Sequence, residues 1–154
     1  YIIPTQDPAN TTEFSRQNPF GVIVAPNEDN EARGDLFYDN GYTDLDLDKY
    51  YYATFTLREN ILKMNIEHNT YQDMSNKVLN TVRIFVKNPS KEIRFYINDN
   101  TQSLSSDNIV LEENQIVLKN LNLPMDKSFE IKWSLADFSK NVLVDCSVQT
   151  NGIE

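Results

Sequence analysis

The chain has 154 residues, with 14 Lys and Arg against 23 Asp and Glu, which gives a formal net charge of −9 and a pI near 4.6. One domain is the expectation at this length, and 40% hydrophobic with 11% aromatic residues supply a core that a disordered chain lacks. The acidic balance excludes a nucleic-acid partner, which needs clustered Lys and Arg. The longest purely apolar run, Val22-Ile23-Val24-Ala25, is too short to insert into a membrane. Glycines occur singly, at 21, 34, 41 and 152, so there is no Gly-rich phosphate loop and no cofactor signature. The abrupt start at Tyr1 reads as a piece of a longer chain.

The chain order is written in period two. A short strand at 1–3 leads into a polar, Pro-bearing linker over 4–18 that carries the sequon Asn10-Thr11-Thr12, making Asn10 a candidate glycosylation site. Asn88-Pro89-Ser90 is blocked by its proline. A β-branched run at 20–25, a turn at 27–30 and a strand at 35–38 follow. The acidic stretch 39–48 lacks EF-hand spacing, so it reads as a tight turn at Asn40-Gly41 and a solvated loop, with no metal site. The runs 51–57 and 62–68 alternate apolar and polar residues across 58–61, a hairpin. Alternation puts the single imidazole, His68, in phase with Leu62, Met64 and Ile66, at a strand end near the core.

The stretch 73–80 reads as loop. Strands follow at 82–86, 93–97, 108–111, 115–119 and 129–133, then one helical turn at 137–140 and a last strand at 141–148. About ten strands spaced every 8–12 residues predict an all-β, antiparallel β-sandwich with little or no helix. Exposed aromatic rings stack on sugars; Tyr42, Tyr50 and Tyr71 are the candidates, although most such tyrosines pack at the rim of a sandwich. Among 23 acidic residues nothing isolates a catalytic pair.

Two stretches then carry a resemblance. Residues 1–12 (Tyr-Ile-Ile-Pro-Thr-Gln-Asp-Pro-Ala-Asn-Thr-Thr) with 15–25 (Ser-Arg-Gln-Asn-Pro-Phe-Gly-Val-Ile-Val-Ala), and 30–41 ending Leu36-Phe37-Tyr38-Asp39-Asn40-Gly41, resemble the C-terminal region of glycoside hydrolase family 31 α-glucosidases of the maltase-glucoamylase and sucrase-isomaltase type. His68-Asn69-Thr70-Tyr71, Val82-Arg83-Ile84 and Phe129-Glu130-Ile131-Lys132-Trp133 fall where the family has similar pieces. Tyr38 stands where the family has Trp, and Asn40 where it has a second Asp.

The resemblance implies a modular parent, with a (β/α)8 catalytic barrel followed by proximal and distal β-sandwiches. Residues 1–19 would end the preceding β-domain and its linker, 20–148 would form the distal sandwich, and 149–154 a loose tail. The family's catalytic aspartates lie in a Trp-x-Asp-Met-Asn-Glu-like motif; none occurs here, so no catalytic residue is carried over. Cys146 sits where the first cysteine of a trefoil module follows in the tandem enzymes, implying an intermodule disulfide, with a buried free thiol as the alternative. The implied role is a non-catalytic accessory domain of a secreted or membrane-anchored α-glucosidase, partnered by the parent's catalytic and proximal domains. The alternatives are a carbohydrate-binding module and an independently acting secreted protein. The expected compartment is extracellular, cell-surface or elsewhere in the secretory pathway.

Overall fold

Tyr51, Ala53, Phe55 and Leu57 are buried while Tyr52, Thr54 and Thr56 between them are half-exposed. Similar alternation gives each sheet one apolar face to hide, and two such faces pack together. The computed structural model describes residues 1–41 and 49–135. One sheet runs in the order β1 (Ile2–Gln6), β2 (Phe20–Val24), β6 (Val78–Phe85), β9 (Gln115–Leu118), β8 (Ile109–Glu112), with β10 (Leu123–Pro124) also paired to β6. The other runs β3 (Ala32–Tyr38), β4 (Tyr51–Arg58), β5 (Ile61–Asn69), β11 (Phe129–Leu135), β7 (Ile93–Ile97). The all-β sandwich is therefore as expected. β2 and β6 lie parallel, because the chain visits the second sheet between them.

The hairpin of β4 and β5 turns on Glu59 and Asn60, both at positive φ, as a two-residue turn of matching twist requires. Asn27 organises the β2–β3 turn: its side-chain oxygen accepts from the amides of Asp29 and Glu31. Three features escaped period-two reading: α1 (Thr12–Ser15), a 3-10 turn at Gln72–Asn76 and another at Ser106–Asn108. β6 also starts earlier than alternation suggested, at Val78. Tyr42, Cys146, the acidic residues at 44, 46 and 48, the turn expected at 137–140 and the strand expected at 141–148 lie outside the described residues.

The core joins Phe20, Tyr38, Tyr51, Phe55, Leu62, Met64, Leu79, Phe95, Met125 and Ile131, among others. Tyr51 is fully buried, and its hydroxyl donates to the Met125 carbonyl at 2.7 Å. Burial, reinforced by the charge of Asp126, pushes the Tyr51 hydroxyl well above its ordinary value of 10.0. At one rim the two sheets touch. A Cβ on Gly34 of β3 would fall inside contact distance of the Ile2 carbonyl oxygen and 2.7 Å from its carbon. Gly21 is different: the one close approach of a Cβ there is to Thr5 Oγ1, a rotatable hydroxyl, at 2.8 Å, while the Thr81 carbonyl oxygen stands at an ordinary 3.6 Å.

Two outcomes follow for this core. Gly34→Ala is expected to cost about 3 kcal/mol in urea unfolding, and Gly21→Ala no more than about 1 kcal/mol. Tyr51→Phe leaves the Met125 carbonyl without its donor and is expected to cost about 1.5 kcal/mol at neutral pH. The Tyr51 hydroxyl has a raised folded pKa, so its contribution is complete below pH 10 and is lost as pH rises. Wild-type stability should therefore fall progressively as pH rises above about 10, and Tyr51→Phe should fall less steeply over the same range.

Candidate functional site

The segment between β1 and β2 folds back over one rim of the sandwich. Thr11 caps α1, accepting from the Phe14 amide at 3.3 Å. Ser15 Oγ accepts from the Ala9 amide at 2.8 Å, and Asn18 Nδ2 donates to the Asp7 carbonyl at 2.7 Å. Asn10, beside the cap, is exposed.

Arg16 is the centre of this rim. Its guanidinium lies over the buried Tyr38 ring, with Cζ 4.1 Å from the centroid, and Nη2 donates to the Asp39 carbonyl. Its own carbonyl accepts from three side chains distant in sequence: Gln6 Nε2 and the Tyr38 hydroxyl, each at 3.3 Å, and Lys77 Nζ. Arg16 thus ties the β1–β2 segment to β3 and to the start of β6. Tyr38 packs edge-on against Phe20 at 5.4 Å and beside Tyr71 at 6.0 Å. Gly41, at φ +75°, closes a turn in which its amide donates to Asp39 Oδ1 at 2.8 Å. The residues that would complete the turn expected at Asn40-Gly41 lie outside the described ones.

These groups border an open cleft of about 600 Å³ whose lining includes Thr12, Glu13, Arg16, Tyr71, Asp73 and Lys77. The Tyr71 hydroxyl donates to Asp73 Oδ2 at 3.0 Å. Burial, then that hydrogen bond and the Asp73 charge, raise its pKa, with the Arg16 charge opposing. The phenol therefore stays a donor at neutral pH.

Tyr50 stands elsewhere. Its ring stacks on His68 at 3.9 Å and on Phe37 at 5.4 Å. Phe37 is 52% exposed and alternates with buried Tyr38, so this stack lies on the outer face of the β3–β4–β5 sheet. Tyr71 packs toward the core. The two tyrosines do not share a platform. His68 departs from the phase that alternation implied. A bulge between Tyr52 and Ala53 pairs Ala53 with Ile66 and Tyr52 with His68, turning the imidazole to the Tyr50 side. His68 Nε2 lies 2.9 Å from Thr70 Oγ1, but that hydroxyl is bound to the amide and carbonyl of Tyr50 and works as packing. Among the described residues no three His, Cys, Asp or Glu side chains converge as a metal site. The sequence marked Tyr71 but missed Arg16 and Lys77, whose partners lie 22 and 61 residues away.

Arg16→Ala is expected to destabilise the fold by about 1–2 kcal/mol and to raise amide exchange over residues 6–19. Arg16→Lys should recover only part of this, because an ammonium does not reproduce the planar stack.

Comparison with known proteins places this architecture. No protein-family model matches the chain. Rabbit intestinal sucrase-isomaltase is 35% identical over 137 residues, 86% of this chain. The human enzyme is 35% identical over 95% of the chain, and human probable maltase-glucoamylase 2 is 31% identical over 88%. The chain spans only 8% of either sucrase-isomaltase and 6% of the maltase-glucoamylase. Among solved structures, the Tris-bound glucosidase II alpha subunit superposes with a TM-score of 0.68 at 17% identity, over 86% of this chain and 16% of that one. The alpha-1,4-glucan lyase of Gracilariopsis lemaneiformis gives 0.53 at 17% identity, over 77% of this chain and 14% of that one. These likenesses show a shared sandwich fold. By sequence, the chain is a homologue of one segment of the sucrase-isomaltase and maltase-glucoamylase α-glucosidases of glycoside hydrolase family 31.

Proposed function

We propose that the chain is a non-catalytic C-terminal accessory β-sandwich of a secreted or membrane-anchored family 31 α-glucosidase, and that it braces the catalytic barrel. The carrying observation is an uncovered apolar surface on a segment that spans 8% of its relatives. On the outer face of the six-stranded sheet, exposed Ile3 (53%), half-buried Ile23 and Val110, and Val117, already buried within the chain, form one cross-strand row, interrupted by exposed Arg83. Phe85 (48% exposed) stands in the next row. The outer face of the other sheet mixes the exposed Phe37 ring with ion pairs of Glu130 to both Lys63 and Lys132. A shallow dent of about 160 Å³ on the apolar side is lined by Asn80, whose Oδ1 is buried without a donor among the described residues. A covering domain would bury the aliphatic row and bring a donor to that oxygen.

In this reading residues 1–19 end the preceding β-domain and linker, 20–148 form the distal sandwich and 149–154 the tail. β1 is an edge strand paired to β2, so a strand of the preceding sheet would add at its other side. Asn10 would carry a glycan, and Cys146 would pair with a cysteine of a following module. Relatives named for the intestine support a secretory-pathway compartment.

The test uses the proposed parent enzyme. Ile3→Asp with Phe85→Asp should shorten its half-life at elevated temperature several-fold while leaving kcat and KM for maltose unchanged. The 154-residue chain with the same pair should keep its Tm within about 3 °C. An unchanged half-life would remove the bracing role. Turnover of p-nitrophenyl α-glucoside by the chain, surviving repurification, would remove the non-catalytic one.

A further inference from the structure

We propose that the cleft beside Arg16 and Tyr71 is a binding site for one unit of a neutral saccharide. Side chains with hydrogen-bonding capacity to spare decide what the cleft can hold. Both cations are committed: Arg16 to the Tyr38 ring and the Asp39 carbonyl, Lys77 to the Arg16 carbonyl. Facing them are two carboxylates, Glu13 and Asp73, so the four lining charges sum to zero. An anion would meet both carboxylates, and a cation would meet Arg16 and Lys77. A metal ion would find only two carboxylates, too few for a hard cation.

The uncommitted groups suit hydroxyls. The side chains of Thr12, Glu13 and Gln17 make no hydrogen bond to the described residues, and Asp73 has one oxygen beyond the one bound to Tyr71. A carboxylate accepts from paired hydroxyls, and an amide both donates and accepts. Thr12 and Glu13 lie in the first turn of α1, Arg16 is its C-cap and Gln17 follows in the turn beyond it, and all four line the cleft. Tyr71 supplies an aromatic surface held by its bond to Asp73. The cleft, about 600 Å³, lies within the usual range for small-ligand sites. The site rests on this lining alone and stands or falls separately from the accessory role.

The experiment is titration of the 154-residue chain with maltose, maltotriose, cellobiose and an N-acetylglucosamine oligomer, followed by NMR shifts and calorimetry, with inorganic phosphate as the anionic control. Saturable millimolar binding of at least one saccharide is expected, with shifts centred on Arg16, Tyr71 and Asp73 and no competition by phosphate. Tyr71→Ala should weaken it about tenfold or more, Tyr71→Phe only slightly, and Tyr50→Ala not at all. Should Tyr71→Ala fail to fold, Glu13→Ala with Gln17→Ala, both on the surface, carries the test and should also abolish saturation. No saturable shift with any of the saccharides, binding unaffected by these variants, or displacement by phosphate would each overturn the proposal.

Discussion

The close approach of Gly34 to the Ile2 carbonyl is the constraint on which the rest of this molecule leans. Face-to-face sheets normally stand about 10 Å apart, filled by side chains from both. At this rim the gap closes to backbone against side-chain-free backbone. β1 can then lie flat on the end of β3, keep its full register with β2 and bury Ile2 in the shared core. The position of β1 sets where Gln6 ends, and Gln6 reaches the carbonyls of Arg16 and Asn18. A larger residue at 34 would therefore disturb the Arg16 rim without touching it.

Tight turns in this chain are made with asparagine more than with glycine. Asn30, Asn60, Asn88, Asn98, Asn120 and Asn122 all sit at positive φ, joined by Glu59 and Gly41. Asparagine tolerates the left-handed region at small cost because its side chain bonds locally. Here those side chains also reach across the fold: Asn98 Oδ1 accepts from the Glu130 amide, and Asn30 bonds Asn60 between two neighbouring turns. A chain with four glycines thus makes the many reversals a sandwich requires, and several of its turns are fastened to each other.

What was legible in the sequence was whatever repeats locally. Tyr51 to Leu57 and Ile93 to Ile97 display their buried face every second residue, so strands and fold class follow from period alone. What failed depends on geometry that period cannot encode. The bulge at Tyr52 and Ala53 shifts the pairing by one and takes His68 from the phase of Met64 to the side of Tyr50. The parallel pairing of β2 with β6 joins segments about sixty residues apart, and nothing local announces it. α1 is a single capped turn, too short for a 3.6-residue pattern. Tyr71 was chosen for its aromatic ring, but its significance comes from neighbours brought by two other segments.

Those two segments lie in the two stretches that carried the family resemblance, and Tyr71 lies in a third, similar piece. Arg16 comes from the first, Tyr38 to Gly41 from the second and Tyr71 from the third, and folding gathers them around one cleft. The apolar row of Ile3 and Ile23 lies on a different surface, the outer face of the six-stranded sheet. A single sandwich therefore offers an aliphatic face suited to another protein domain and a polar, charge-balanced cleft suited to a small hydroxylated ligand. The two are linked mechanically through β1, which contributes Ile3 to the face and Gln6 to the Arg16 carbonyl. A domain covering the face would therefore rest on the same strand whose Gln6 reaches the Arg16 carbonyl.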